Sequence, residues 1–305
     1  MVATAAWVVV RALGLERGYP MVAMLAYTPL VAGGAIVAVA VALLLRRRAA
    51  AACVAVLAAV LVWFVAPRAL GGPSEAEGGP GGARLRVLTA NLSQQPGTAA
   101  GLVEIVRETR PDVLSVQELT PPVARALDAA GLAELLPERV LSTRDSGYGS
   151  GLYSRLALER RPPVAGRSTL SVARAGLPGA PPLELYAAHP RAPRSRSDTL
   201  EWRADLRGLP PATPGGAIRI MAGDFNSTLD HGQFRELLGR GYEDAAAEVG
   251  AGLRATWPAN RRFPPPVTID HVIADARCGV RAVRVFGVPR SDHRAVFAEL
   301  ELPRE

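Results

Sequence analysis

Three patterns of apolar and polar positions divide the chain. From Met21 to Leu45 the run MVAMLAYTPLVAGGAIVAVAVALLL carries no charge and is long enough to span a bilayer. Residues 49–66 (AAAACVAVLAAVLVWFVA) form a second span at the short end of the range. Residues 2–10 are apolar but too few to cross alone. Continued to residue 15, with Arg11 snorkelling, they make a marginal extra span; the plainer reading is an interfacial helix. No small-residue cleavage site follows the first run, which argues against a cleaved leader.

The second pattern is the stretch 71–83 (GGPSEAEGGPGGA), whose six Gly and two Pro read as a flexible linker. Such a linker reaches roughly 20 Å. The third pattern, from Arg84 on, is a series of short alternations. RLRVLTA (84–90) alternates as a strand, and DVLSVQ (112–117) reads as a buried one. GLYSR, LELYAA and AIRIMA add strands, and two or three more close the chain. Helices are expected over 98–109, from Pro121 to about Leu136, and over 231–238 with Asp230 as N-cap. Runs of adjacent strands without helices between them predict antiparallel pairs. The fold class is therefore α+β, a layered sandwich rather than a doubly wound sheet, preceded by transmembrane helices. The expected organisation is an anchor over 1–70, a linker over 71–83 and a soluble domain over 84–305.

Charge sharpens this division. Of the net charge of +7, residues 1–70 hold +5, from six Arg against one Glu, which leaves +2 for the rest. The high pI thus reports the anchor and is poor evidence for nucleic-acid binding. All 35 basic residues are Arg, a composition that suits a GC-rich genome and carries no functional weight. The triplet Arg46–Arg47–Arg48 separates the two clear spans. The positive-inside rule puts it in the cytoplasm and everything after Pro67 outside, as a multi-pass protein with an extracytoplasmic domain. Arg11, Arg17 and Arg68 are scattered charges that argue weakly the other way. Cys53 lies in an apolar span, so a disulfide with Cys278 is not expected.

The chemistry gathers at strand ends. Asn91 ends the first strand, Glu118 follows DVLSVQ, and His189 follows LELYAA. Asp224 and Asn226 lie two apart in GDFN, after IRIMA. Asp270 and His271 stand side by side in TIDHVIAD, so only one of them can face a site from that strand. Asp292 and His293 precede the final strand, RAVFAEL. Each residue has an ordinary reading, as a turn former, an exposed acid or a core histidine, and His231 keeps that reading. Together, carboxylates, an Asn and imidazoles suit a divalent metal and a water attacking phosphorus.

The motifs MAGDFNSTLD, TIDHVIAD and SDHRAVFAEL, in this order and after ANLSQQ and VQEL, resemble the endonuclease/exonuclease/phosphatase superfamily with its deoxyribonuclease-I-like fold. The resemblance runs from about Arg84 to Leu302; multi-span anchors occur on some bacterial members. It implies a four-layer α/β/β/α sandwich with two mostly antiparallel central sheets. It also implies a metal-dependent phosphoesterase using Mg²⁺ or Mn²⁺. Glu118 would bind the metal with Asn91 alongside, and Asp292 would complete the shell. Asp224 would position or deprotonate the water, and Asn226 would orient phosphate or water. His293, held by Asp270, would contact the phosphoryl oxygens, and His189 would help protonate the leaving group. Some members carry a second acid two residues after the first-strand Asn; here it is Ser93, which thins the metal shell.

The Arg-rich loop after His189 (HPRAPRSR) offers Arg191 and Arg194 as weaker substrate contacts, against a plain solvated loop. The expected partners are a phosphoester substrate, either nucleic acid or a phospholipid or other phosphate ester, and the bilayer. Nothing in the sequence points to a protein partner. A phosphodiester hydrolase leads. A lipid-headgroup or inositol-phosphate phosphatase of the same superfamily is the first alternative, and an inactive surface-binding ectodomain is the alternative of another class. The chain lacks the H-x-H and H-E-x-x-H spacings of zinc hydrolases.

Overall fold

The alternating stretches pair into two six-stranded sheets in the computed structural model, which describes residues 1–77, 79–162 and 170–304. The strands are β1 (Arg84–Asn91), β2 (Val113–Gln117), β3 (Glu138–Ser142), β4 (Ser150–Ser154), β5 (Glu159–Arg161) and β6 (Ser171–Ala175). They continue with β7 (Leu183–Ala188), β8 (Ile218–Asp224), β9 (Tyr242–Asp244), β10 (Asp270–Asp275), β11 (Gly279–Gly287) and β12 (Arg294–Glu301). One sheet has the order β11-β12-β1-β2-β4-β3 and the other β5-β6-β7-β8-β10-β9. The middle pair of each sheet, β1/β2 and β7/β8, is parallel, and the remaining pairings are antiparallel, so both sheets are mixed.

The helices are α1 (Val2–Leu13), α2 (Met21–Leu25), α3 (Thr28–Leu44), α4 (Arg48–Val65), α5 (Pro67–Leu70) and α6 (Ala99–Thr109). After them come α7 (Pro121–Ala129), α8 (Leu132–Leu135), α9 (Arg196–Gly208), α10 (Gly232–Leu238) and α11 (Ala245–Glu248). Three apolar cores stack the layers. Leu85, Val87 and Val113 meet Leu185, Ile220 and Val272 between the sheets. The intervening residues Leu88, Ala90 and Leu114 point the other way, onto Leu102 and Val106 of α6 and Val123 and Leu127 of α7. On the opposite side Tyr186, Met221 and Ile273 pack on Trp202 of α9 and Phe234 of α10. The result is helix, sheet, sheet, helix. Because both faces of each sheet are covered, β2 is buried at every residue.

Several local expectations need correction. The helix expected over 121–136 breaks at Gly131, whose φ of 85° ends one helix before the next begins. His231, not Asp230, occupies the N-cap position of α10, and Asp230 is engaged elsewhere. The apolar run 21–45 is not one span: it is α2 and α3, parted at Ala26 and Tyr27. Pro29 lies in the first turn of α3, the one place where its missing N–H costs nothing. At 12 residues, α1 is about 18 Å long and falls short of a bilayer core. Among the described helices α4 alone is long and apolar enough to cross a membrane, and only 17% of it is buried, unlike a core helix. α3 is apolar and slightly shorter. α3 and α4 pack as a hairpin around Leu61 and the small residues Ala32, Ala35 and Ala58, which let the backbones approach.

The Gly/Pro stretch 71–83 is expected to be loose, but residues 74, 77, 81 and 82 are held along the sheet edge. Ser74 N–H donates to Val280 O at 2.9 Å and Glu77 N–H to Arg277 O at 2.8 Å, while Gly81 and Gly82 N–H donate to the Glu301 carboxylate. The N-terminal helices also dock on the sandwich. The Asp230 carboxylate accepts from Arg68 at 2.7 and 2.9 Å and from Arg11 at 3.2 Å, all three side chains buried or nearly so. Glu16 Oε1 accepts the Gly232 N–H at 2.5 Å.

Candidate active site

The two parallel pairs decide where the chemistry lies. β1, β2, β7 and β8 bring their C-terminal ends to one rim, and their antiparallel neighbours β12 and β10 begin there. Asn91, Glu118, His189 and Asp224 therefore arrive from ending strands, and Asp270 and His293 from starting ones. Asp224 and Asp270 are directly opposed in the β8/β10 register. At this rim β7 and β8 run so close that a Cβ on Gly223 would lie 1.8 Å from Ala188 O, so only glycine fits. Two site residues hold left-handed backbone, Glu118 at φ 55° and Asn226 at φ 48°. Asn tolerates that region, but Glu does so at a cost, and such strain gathers at functional positions.

The side chains form one network. Asn91 Nδ2 donates to Glu118 Oε1 at 3.2 Å and to Asp224 Oδ2 at 3.1 Å, tying one sheet to the other. His293 Nδ1 donates to both oxygens of Asp270, at 3.0 and 3.1 Å. His293 Nε2 then lies 3.8 Å from Asp224 Oδ2, and His189 Nε2 lies 3.7 Å from the same oxygen. Asp224 thus stands between two imidazoles. Asn226 N–H donates to Asp224 Oδ1 at 2.8 Å, and its side-chain amide donates to Pro190 O at 3.0 Å, holding the loop that carries His189. Asp292 accepts from Ser93 Oγ at 2.5 Å and from Trp257 Nε1 at 3.0 Å.

Burial sets the electrostatics. It pushes the Asp224 carboxyl up; His293 and His189 oppose that and Asp270 adds to it. Burial alone would lower the His293 imidazole. Asp270, Asp224 and Asp292 more than offset it and raise it to about 10, so the ring is cationic at neutral pH. Burial also pushes Asp292 up, but Ser93, His293 and Trp257 together hold it below the usual range.

All eight expected residues, Asn91, Glu118, His189, Asp224, Asn226, Asp270, Asp292 and His293, meet at this rim. Three details differ from expectation. Asn91 offers its amide nitrogen to the carboxylates, and its oxygen accepts the Ser93 N–H at 2.9 Å, so it bridges the acids rather than presenting an oxygen to a cation. Arg191 is tied to Asp198 at 2.5 Å and Glu201 at 3.3 Å, which leaves Arg194 as the less restrained arginine in the cleft. Asp224, Asp270 and His293 form a buried trio whose ligand atoms lie within 4.8 Å of one another and could hold a metal. Because His293 Nδ1 already uses both Asp270 oxygens, the trio is also complete as an ion-pair relay. His271 points away, between Asp244 at 2.7 Å and Ser227 O at 2.9 Å.

Sequence reasoning missed the supports. Thr256 Oγ1 accepts the N–H groups of Ile269 and Asp270, fixing the start of β10. Ser93 holds Asp292, Ser291 Oγ donates to Asn91 O, and Gln94 donates to Glu118. Trp257 lines the cleft with its indole N–H on Asp292. Only the polar character of ANLSQQ hinted at any of these. The cleft encloses about 580 Å³ and is also lined by Ala23, Ala26 and Tyr27 from the N-terminal region, for which the sequence gave no signal.

The family model described as Endonuclease/Exonuclease/phosphatase family matches residues 88–293, which contain the whole rim. The chain belongs to that family. Members of the endonuclease/exonuclease/phosphatase family are hydrolases of phosphoester bonds and generally depend on divalent metals. No curated protein matches the chain by sequence. Among solved structures, the fold is similar to an endonuclease/exonuclease/phosphatase from Beutenbergia cavernae, with 19% identity, a TM-score of 0.56 and 72% of each chain covered. It is also similar to D. rerio TDP2 complexed with a single-strand DNA product, with 20% identity, a TM-score of 0.55, and 72% of this chain and 99% of that one covered. Truncated C. elegans TDP2 matches with 17% identity, a TM-score of 0.56, and 74% and 100% covered. At such identities the likeness is one of fold.

Proposed function

We propose that the protein is a membrane-tethered, divalent-metal-dependent phosphodiester hydrolase. The observation that carries the reading is the position of Asp224 between two imidazoles, within a rim built from both sheets. Asp224 accepts a proton from the attacking water, and its raised carboxyl makes it a better base than a free aspartate. The cationic His293, oriented by Asp270, faces the phosphoryl oxygens as negative charge develops on them. His189, whose Nε2 lies 3.7 Å from Asp224 and whose Nδ1 is held by no other group, delivers a proton to the leaving oxygen. Asn226 orients the phosphate.

The donor chemistry fits a hard cation: Glu118, with Asp292 nearby, offers carboxylate oxygen, and Glu118 is only partly buried. When bound there, Mg²⁺ or Mn²⁺ would neutralise phosphoryl charge. Hydrolysis of bis(p-nitrophenyl) phosphate by the full chain in detergent tests the reading. Activity should need Mg²⁺ or Mn²⁺ and vanish with EDTA; no turnover with either metal would overturn it.

The membrane part of the reading rests on α3 and α4. α4, about 27 Å long, comes near a hydrocarbon core of about 30 Å, and α3, about 26 Å long, falls slightly further short of it. Their outward side chains, including Val37 and Trp63, are exposed. Arg46–Arg48 lie at the turn between the helices, away from the docked ends at Thr28 and Arg68. With the triplet in the cytoplasm, the catalytic domain is extracytoplasmic. Arg11 and Arg68, which share Asp230, are scattered single charges against the contiguous triplet. Export-dependent and cytoplasm-only reporters fused after Glu305 distinguish the two orientations; signal from the cytoplasmic one alone would refute this.

A further inference from the structure

The cleft that holds Asp224 and His293 is lined by Ala23, Ala26 and Tyr27 as well as by the rim. These residues belong to α2 and to the break before α3, within five residues of the start of the hairpin. Their place is secured from several directions. Val22, wholly buried, joins the core of Trp202, Phe225 and Phe234. Its carbonyl accepts from His231 Nε2 at 2.8 Å. Glu16 takes the Gly232 N–H, and Asp230 takes Arg11 and Arg68. The backbones touch where side chains are absent: a Cβ on Gly232 would lie 2.8 Å from Gly14 Cα.

A second observation comes from the catalytic domain. Pro264 and Val267 line the same cleft. Beside them Phe263 is 83% exposed, and Arg261 and Arg262 are exposed as well. An exposed aromatic flanked by two cations suits the headgroup layer of a bilayer. The cleft therefore lies between two elements that belong at the membrane surface: the start of a bilayer hairpin and an Arg-Arg-Phe tip.

We infer that the anchor supplies a wall of the active-site cleft, setting the phosphate site at headgroup depth, and that the substrate is a phosphodiester carried by a bilayer lipid. This rests on the phosphodiesterase reading above and narrows it. The lipid stays in its leaflet while its headgroup enters between Tyr27 and Pro264. Water forms the new P–O bond and gives its proton to Asp224. The ester P–O bond breaks, and the leaving alcohol takes a proton from His189. A nucleic acid fits less well, because the domain outside residues 1–70 carries only +2 and the wall closes part of the groove a polymer would need.

The test uses the full chain with Mn²⁺, either in vesicles of dioleoyl phosphatidylethanolamine and phosphatidylglycerol or in detergent. It compares the vesicle lipids, monomeric dihexanoyl phosphatidylglycerol, single-stranded DNA and bis(p-nitrophenyl) phosphate. The vesicle lipid should turn over about tenfold or more faster than its soluble short-chain analogue. Gly232→Val, which wedges Gly14 away, should lower vesicle turnover by about tenfold or more while leaving bis(p-nitrophenyl) phosphate hydrolysis unchanged. Ala23→Trp, which narrows the cleft from the anchor side without touching the wedge contact, should raise KM for the vesicle lipid; melting curves show that both variants fold.

Cleavage of DNA and the chromogenic ester with intact vesicles would overturn this inference and leave the phosphodiesterase reading standing. Lipid turnover indifferent to both variants would overturn the wall. No hydrolysis of any substrate would remove the phosphodiesterase reading, and this one with it.

Discussion

His293 and His231 are both buried histidines, one in the strand-end rim and one under the docked N-terminal helices, and they are pushed in opposite directions. His293 faces three carboxylates, which overcome the effect of burial and hold it cationic. His231 meets backbone groups and the Thr228 hydroxyl at its ring nitrogens, and no carboxylate. Its Nδ1 accepts the Thr228 N–H at 2.8 Å, so the proton is on Nε2, which donates to Val22 O. Burial pushes this imidazole down, and Val22, Glu16 and Asp230 oppose it without winning. Depth alone does not set a histidine's charge. The rim assembles carboxylates around a cation, whereas the clamp joins two parts of the chain through a neutral ring.

The sharpest way to break this contrast is at the rim. Asp224→Asn and His293→Ala should each lower kcat by about a hundredfold or more, with unchanged far-UV circular dichroism. Unaltered turnover in either variant would mean the chemistry lies elsewhere.

The clamp should respond in stability instead. Arg68→Ala leaves buried Asp230 with Arg11 alone and should cost about 3 kcal/mol in denaturant unfolding. The residual kcat of folded protein on a soluble ester should stay near the parent value. Glu118→Gln should raise the Mn²⁺ concentration needed for half-activity by about tenfold or more, with kcat partly restored at saturation.

Acid gives the smallest effect and separates the histidines by sign. His231 lies below its unfolded value of about 6.5, so the docking it supports is complete above that pH and weakens as pH falls below it, by up to about 1.4 kcal/mol per unit. His271, raised by Asp244 against the opposing effect of burial, behaves in reverse: its contribution is complete below about 6.5 and is lost as pH rises through its folded value. Limited proteolysis near residues 14–20, followed against pH, should show protection lost towards acid. Protection unchanged down to pH 5 would contradict the neutral clamp.

Much of the rim was legible because each of its residues closes or opens a strand, and strand ends are a local signal. The Asp270/His271 alternation even implied that one of the two must face away. What stayed hidden depends on partners far along the chain. Asp230 read as a helix cap because its local sequence suits one, yet its partners lie 162 and 219 positions away. Thr256 and Ser93 carry no pattern of their own and matter only through the N–H and carboxylate groups they meet. The α9 segment escaped notice because six of its thirteen residues are charged, so its short apolar face of Trp202 and Leu206 is diluted, and Leu200 points to the exposed side. The linker read as free because Gly and Pro describe backbone freedom, not the edge strand lying beside it.

The Gly14–Gly232 contact bears on how this protein can be cut. The family match begins at residue 88, and a designer of expression fragments would be drawn to start there. Such a fragment would expose the slot filled by Val22, strip the carboxylate of Asp230 of both guanidinium groups, and leave the Gly232 N–H and His231 Nε2 without partners. The unit recognised by ancestry is thus smaller than the unit that closes its own surface, and a fragment chosen by ancestry would be the stickier molecule.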